Sequence, residues 1–168
     1  TDVGDMILEA DSDNRADTAV AGERIFLSGA RTLTSAEDRI WDATSNTGIE
    51  ADSSLVLNAV DNLTINDNLT TDGVTTIDAD SDDSGVGNLT LVNLMTIDTQ
   101  NSDAIITAND IILDGSLDTG TLSLLVSDGG TVGLGDADKD YDLSKLELSR
   151  ITSGMTQIGD VTSGSITV

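Results

Sequence analysis

Short triplets of residues recur through the middle of the chain, and they constrain the fold more than any other feature. In most of them two apolar side chains flank a central residue, so the outer pair points one way and the middle one the other, as in a β-strand. Turn-forming residues separate the triplets, and none is long enough for a helix. They begin at Leu55, Leu63, Thr75, Leu89, Met95, Ile105, Ile111 and Leu122. This pattern is typical of a β-solenoid or a β-sandwich.

Composition favours the solenoid, because it predicts a narrow aliphatic core. Aromatic residues make up 2% of the 168 residues, too few for an ordinary globular core, which relies on large rings. The absence of Pro suits a chain whose backbone N–H groups nearly all join hydrogen-bond ladders. The triplets repeat at about 20 residues per three strands, in the range of β-helical coils. We therefore predict an all-β parallel β-helix of roughly eight coils.

Alternation along the triplets also predicts which side chains are buried. The predicted core residues include Ile65, Ile77, Leu91, Ile97 and Leu113, while Thr64, Thr90 and Thr96 should point outward. Trp41, the single Trp, is interpreted as a packing residue of the core.

The balance of charge excludes several classes of partner. The sequence has 31 acidic and seven basic residues, for a net charge of −24. Such a surface repels nucleic acid and anionic membranes, so we expect neither a nucleic-acid partner nor membrane insertion. No apolar run approaches the length of a membrane span. Most of the acids are Asp, which prefers turns, and we interpret them as solvated residues that keep a β-rich chain soluble.

The available residue types exclude the common catalytic sites. Without His or Cys, the usual Ser and Cys triads lack a base or a nucleophile, and zinc lacks its nitrogen and sulfur ligands. Paired carboxylates can hydrolyse glycosidic bonds, but one of them needs a raised pKa in an apolar pocket, and no Asp stands out. We predict that the protein is not an enzyme and requires no cofactor, with a polysaccharide-degrading β-helix enzyme as the remote alternative.

Calcium is the metal that the acidic turns could bind. Ca²⁺ takes six to eight oxygen ligands, and alternating Asp residues in a turn can supply several of them. The turns lack the Gly and the terminal Glu of an EF-hand, and the glycine-rich nonapeptide of calcium β-rolls is absent. The candidate ligands are Asp11, Asp13, Asp80, Asp82, Asp83, Asp136, Asp138 and Asp140.

Regularity divides the chain, which we interpret as one β-helical segment over residues 1–168, into four parts. Residues 1–54 are the least regular, residues 55–126 form the regular coils, residues 127–150 are an irregular excursion, and residues 151–168 are the final strands. Within the excursion, residues 143–151 fit a short helix and a strand equally well. The start at Thr1 predicts a mature product or a piece of a longer chain.

Four runs of sequence carry a family resemblance. They are residues 78–82 (DADSD) leading to 87–91 (GNLTL), residues 106–120 (ITANDIILDGSLDTG), residues 132–136 (VGLGD) leading into 143–154 (LSKLELSRITSG), and residues 158–168 (IGDVTSGSITV). Together they make residues 55–168 resemble the β-strand repeats of filamentous-haemagglutinin-like large exoproteins and adhesins of bacteria. The resemblance implies a right-handed parallel β-helix, export to the cell surface, and a role as a stalk or adhesive fibre. The family's secretion domain is not in this sequence, which predicts an interior segment.

Two functions follow as expectations. The first is a structural module of an extracellular fibre, whose partners are copies of itself. Written head to tail, residues 165–168 run into residues 1–8 like a strand-turn-strand step inside the chain, so copies should stack end to end, as tandem repeats or as separate subunits. The second is an adhesive module that binds a host or matrix glycan, or a protein, through residues 9–24 and 127–150.

Overall fold

The computed structural model describes residues 6–9, 25–42, 48–135, 137 and 139–168. We number its strands in chain order and group the first fourteen into three columns. Column one is a five-stranded sheet of β1 (Met6–Glu9), β4 (Arg39–Asp42), β7 (Leu63–Ile65), β10 (Asn88–Leu91) and β13 (Asp110–Leu113).

The other two columns belong to one ten-stranded sheet. Column two contains β2 (Ile25–Leu27), β5 (Ile49–Ala51), β8 (Leu69–Thr71) and β11 (Thr96–Asp98). Column three contains β3 (Arg31–Thr34), β6 (Leu55–Asn58), β9 (Thr75–Asp78) and β12 (Ala104–Ala108). The long strand β14 (Ser116–Val126) continues both columns, pairing with β11 through its first half and with β12 through its second. The last strand of this sheet, β17 (Ile151–Ile158), pairs with β14 along both halves.

The protein is therefore an all-β protein with parallel strands. Most strands of the three columns pair with the strand three places further along the chain, and all of the described pairings are parallel. The predicted repeat of 20 residues holds for some steps only: Leu55 pairs with Thr75, whereas Thr75 pairs with Ala104. The turn between β9 and β10 spans residues 79–87, which lengthens that step. Because several pairings span more than the predicted 20 residues, the described part of column one has five strands, whereas eight coils were predicted.

The core lies between the columns, and its residues are those that the alternation predicted. Ile65, Ile77, Leu91, Ile97 and Leu113 are all buried. Thr64, Thr90 and Thr96 are only half-buried, as expected for the outward position of an alternating strand. Trp41 is 0% exposed, which confirms its role as a packing residue.

Polar side chains join successive layers at the start of the column-one strands. Asn62 Nδ2 donates to Asp38 Oδ1 at 2.9 Å, and Asn62 Oδ1 accepts from the Asn88 N–H at 3.1 Å. Asn109 Nδ2 donates to Asn88 Oδ1 at 3.3 Å. These bonds tie each turn to the next one, so the turns stack in register along with the strands.

The predicted irregular excursion has regular structure of its own. A 3₁₀ turn (Ser127–Gly129) leads to β15 (Val132–Gly135), β16 (Tyr141–Ser144) and the one-turn helix α1 (Lys145–Leu148). With β18 (Ile166–Thr167), β15 and β16 form a small parallel sheet. Residues 143–151, which fit a helix and a strand equally well, thus contain the end of β16, the helix α1 and the start of β17. Within the described part of the chain, no helix is long and apolar enough to span a membrane.

Candidate functional site

Asp80, a predicted calcium ligand, holds a turn together. It lies directly after β9 and is fully buried. Its Oδ1 accepts from the Ser84 N–H at 3.1 Å and from Ser84 Oγ at 2.9 Å, while Oδ2 accepts from the Gly85 N–H at 2.9 Å. Ser127 Oγ, directly after the end of β14 and two strands along column three, donates to Oδ2 at 2.5 Å. Gly85 has a φ of +74°, which favours Gly there.

The surroundings of Asp80 favour its charged form. Burial by itself would raise the pKa of this carboxyl, but the hydrogen bonds from Ser127, Ser84 and Gly85 outweigh burial and lower the pKa below its usual value. An ionised carboxylate with four donors around it needs no metal to satisfy it. Asp80 therefore acts as the acceptor that closes the turn over residues 80–85 and joins it to Ser127.

A shallow acidic cleft lies beside this turn. Its cavity volume is about 380 Å³, and its lining includes the carboxylates of Asp83, Asp128 and Asp160. Asp160 Oδ1 accepts from the Thr162 N–H at 2.7 Å and from Thr162 Oγ1 at 2.6 Å. The hydrogen bonds from Thr162 lower the pKa of Asp160. The structure thus brings the predicted ligand Asp83 close to two acids that the sequence did not single out.

The other described calcium candidates are engaged locally. Asp82 Oδ1 accepts from the Ser84 N–H at 3.2 Å. Asp140 Oδ2 accepts from Thr131 Oγ1 at 2.6 Å and from the Thr131 N–H at 3.0 Å, and these bonds lower the pKa of Asp140.

The remaining candidates, Asp11, Asp13, Asp136 and Asp138, lie outside the described residues. Among the residues that are described, no group of three or more acidic side chains is arranged to hold a metal ion. Calcium binding stays a prediction.

Arg39 is a buried cation in column one. Its side chain is 0% exposed, and its Nε, Nη1 and Nη2 have no hydrogen-bond partner among the residues that the structure describes. Its guanidinium carbon lies 5.9 Å from the centroid of the Trp41 ring, and Trp41 Nε1 is also buried without a partner. Burial lowers the pKa of Arg39 to about 10. Arg39 and Trp41 occupy the two inward positions of β4, so the sequence pattern places the cation in the core.

Side chains from α1 and its neighbours close the edge of column one at β13. The Leu113 N–H donates to Glu147 Oε1 at 3.0 Å, and Arg150 Nη1 donates to the Leu113 carbonyl. The other oxygen of Glu147 accepts from the Ser144 N–H at 2.9 Å, and Ser144 Oγ accepts from the Glu147 N–H, which forms a capping box. One carboxylate therefore caps both a helix and a strand edge.

Columns two and three end differently. Their last strand, β17, pairs with β14 on one side, and no described strand pairs with its other side. β17 contains no charged residue, and Met155 in its middle is 62% exposed. The side chain of Ile151 is only half-buried. Within the described part of the chain, this open edge and the acidic cleft are two surface features with chemistry to offer a partner.

Sequence reasoning identified some of these features and missed others. It singled out Asp80 and Asp83 from their spacing, but it could not show that hydroxyl and amide donors already surround Asp80. It missed the cap on β13, although Ser144 and Glu147 carry the S-x-x-E signature of a capping box. Nothing in the sequence marked Asp128 or Asp160, since their proximity to Asp83 depends on strand register.

No protein-family model, no curated protein and no solved structure matches this chain. The resemblance to filamentous-haemagglutinin-like exoproteins stays a prediction.

Proposed function

We propose that this chain is a structural module of an extracellular fibre or surface adhesin, whose copies stack end to end. The observation that carries the proposal is the parallel stacking of three columns, which ends in the open edge of β17. In such a stack each layer contacts the layers before and after it, so length is added without a change of cross-section. A fibre needs this property and a catalyst does not.

The architecture that we propose is a right-handed parallel β-solenoid. One coil consists of one strand from each column, and the described residues supply about five coils. Paired residues in successive coils are 18 to 34 positions apart, as the pairing of Ala104 with Leu122 and of Leu117 with Ile151 shows. The right hand is supported by the strong general preference of parallel crossover connections for that hand.

The charge of the chain fits a fibre in solution. The net charge of −24 makes neighbouring rods repel each other, which opposes sideways clumping at low salt. Screening weakens that repulsion as salt rises. Location at the cell surface rests on the four runs that resemble bacterial exoproteins, and copies are linked either as tandem repeats or as separate subunits.

The acidic cleft favours one alternative. An adhesive module would use the cleft lined by Asp83, Asp128 and Asp160 to bind a basic protein segment or a glycan, with Ca²⁺ at the acidic turns as the predicted metal. Binding of labelled glycans on an array, lost when Ca²⁺ is chelated, would favour this alternative over the structural module.

Electron microscopy and fibre diffraction of the purified chain test the structural proposal. We expect unbranched rods and an axial reflection near ~4.8 Å, because the strands lie across the fibre axis. Sedimentation should show larger species as protein concentration rises. Monomers at every concentration and salt condition would overturn the proposal for separate subunits, and compact globules from a polypeptide that links three copies in tandem would overturn it altogether.

A further inference from the structure

The two ends of columns two and three have matching edges. At one end β17 is open, and at the other β2 and β3 each pair with a single described strand, β5 and β6. The inward-facing Ile25, Leu27 and Leu33 are only half-buried, whereas Ile49 and Leu57 one layer deeper are fully buried. The apolar core is therefore incompletely covered at both ends.

Both edges lack the acids that cover the rest of the molecule. β17 has no charge, and the single charged residue of β2 and β3 is Arg31, which is exposed in the single chain although it lies in the inward row of Leu55 and Thr156. Exposed edge strands are normally protected by charged residues, Pro or a covering element. Two such edges without acids, in a chain with a net charge of −24, can approach each other without the repulsion that separates the other surfaces.

We propose that β17 of one copy pairs in parallel with β2 and β3 of a second copy. This inference rests on the proposed function, and it names the strands that form the junction. In the inward row of column two, Ile25, Ile49, Leu69, Ile97, Leu117 and Ile151 follow one another. In column three, Leu33, Leu57, Ile77, Ile106, Leu124 and Ile158 do the same. Ile25 and Leu33 of the next copy are the next members of these rows.

The register of the junction requires no new kind of pairing. Ile151 and Ile25 lie in one row of the stack, and Thr156 and Arg31 lie in another. Along the chain Ile151 and Thr156 are five positions apart, and Ile25 and Arg31 are six positions apart. The stack already contains a larger mismatch in spacing. Ile97 and Ala104 are seven positions apart, whereas their partners in β14, Leu117 and Leu122, are five positions apart. A head-to-tail contact of this kind does not close on itself, so it generates a filament.

Column one takes no direct part in the junction. Glu147 and Arg150 occupy the N–H and the carbonyl of Leu113, so β13 has fewer free groups for another strand. The junction therefore uses two columns of three. Since columns two and three belong to one continuous sheet, the two paired strands of the next copy bind one continuous edge.

A disulfide trap tests the register directly, because the chain has no Cys. In the double variant Arg31→Cys with Thr156→Cys, the two residues fall on adjacent strands of the junction and both are exposed. Adjacent strands lie ~4.8 Å apart, within the Cα separation that a disulfide spans. We expect a ladder of oxidised multimers on a non-reducing gel. Each single variant should give none, because a head-to-tail contact does not bring identical residues together.

Two controls make the trap specific. Moving one Cys to position 155, as Arg31→Cys with Met155→Cys, places it on the opposite face of β17, so the ladder should disappear.

Thr156→Pro removes a backbone donor at the open edge: the Gly159 N–H donates to Leu124 O, and alternate N–H groups of a parallel strand face opposite neighbours. Thr156→Pro should therefore keep the monomer folded by circular dichroism and abolish assembly. Val161→Pro, outside the strands and fully exposed, should do neither.

The outcomes separate this inference from the proposed function. Rods that persist in Thr156→Pro, together with no ladder in the Arg31–Thr156 double variant, would overturn the junction while leaving the fibre intact. A wild-type chain that forms no rods under any condition would overturn the junction and, with it, the proposal that separate subunits stack. Rods lost in Thr156→Pro and a ladder restricted to the Arg31–Thr156 double variant would support the junction.

Discussion

Replacing Arg39 by Met should stabilise the protein. The guanidinium is 0% exposed and, within the described part of the chain, its three nitrogens have no hydrogen-bond partner, so folding removes a charge from water without a compensating hydrogen bond. A nearby face of Trp41 offers a cation–π contact at 5.9 Å, which returns only part of the lost hydration. Met keeps the length and flexibility of the side chain without the charge.

The lowered pKa gives the size of the effect. Burial lowers the pKa of Arg39 to about 10, and each pKa unit below the usual value of an Arg corresponds to about 1.4 kcal/mol between the two protonation states. The charged form is therefore penalised by about 3 kcal/mol. After allowance for imperfect repacking around Met, we expect Arg39→Met to raise the free energy of unfolding by about 1–3 kcal/mol, in line with other replacements of buried charges.

Chemical denaturation of both forms at neutral pH measures this difference, with the slope of the transition as a check that the same surface unfolds. The exposed Arg31 supplies the matched control, and Arg31→Met should change stability by less than about 0.5 kcal/mol. Between about pH 10 and 12 the unfolded state holds a proton that the folded state has lost, so wild-type stability should gain with pH from this group, and the variant should lack that gain. A variant less stable than wild type by ~1 kcal/mol or more would show that the guanidinium has a partner, and would refute the argument.

Three further predictions follow from the core and the acidic turns. Leu91→Asp, at a fully buried inward position, should unfold the chain cooperatively, whereas Thr90→Asp, at the adjacent outward position, should cost less than about 1 kcal/mol by denaturant titration; equal costs would mean that the register is wrong. Asp80→Ala leaves the donors of Ser84, Gly85 and Ser127 unsatisfied and should cost about 1–3 kcal/mol. Because the folded pKa of Asp80 is lowered, its contribution is present above the unfolded pKa and is lost as pH falls through the folded value, so thermal melts of wild type and variant should converge in acid. If the acidic turns bind calcium, titration calorimetry should show a saturable heat that Mg²⁺ does not reproduce, and a heat that fades with NaCl would indicate screening alone.

The triplets predicted some of the strands well. β6, β7, β10 and β13 each contain a predicted triplet. The pattern missed β5 (Ile49–Ala51), whose inward positions are aliphatic, and β8 (Leu69–Thr71), where a polar residue occupies an inward position. There Thr71 is fully buried, and its Oγ1 lies 2.6 Å from Oγ1 of the equally buried Thr75. One hydroxyl donates to the other and the Gly73 carbonyl can accept the second proton, so the core accepts Thr at these inward positions.

The length of the repeat was the least predictable feature of the fold. Strand composition determines which residues face inward, but the partner of each strand depends on how much chain the intervening turn uses. The turn closed by Asp80 spans residues 79–87. Its composition does not show whether these residues form one long turn or a short turn followed by another strand. The acidic cleft was unpredictable for the same reason, since Asp83 and Asp160 approach each other only after every register is fixed.

If copies stack as we propose, the uneven ends of the stack link its stability to its assembly. Ile25 and Leu33 at one end, and Ile151 and Ile158 at the other, face the core but stay half-buried in the single chain. A layer that lacks one neighbour loses the contacts that contribute most to the stability of a repeat protein. Stacking would bury these four side chains, and burial of apolar area contributes about 25 cal/mol per Å². Since only the folded ends can stack, assembly draws the folding equilibrium toward the native state in proportion to concentration. The cap of Glu147 and Arg150 on β13 stabilises column one in the isolated chain, and we infer that columns two and three obtain the equivalent cover from the next copy.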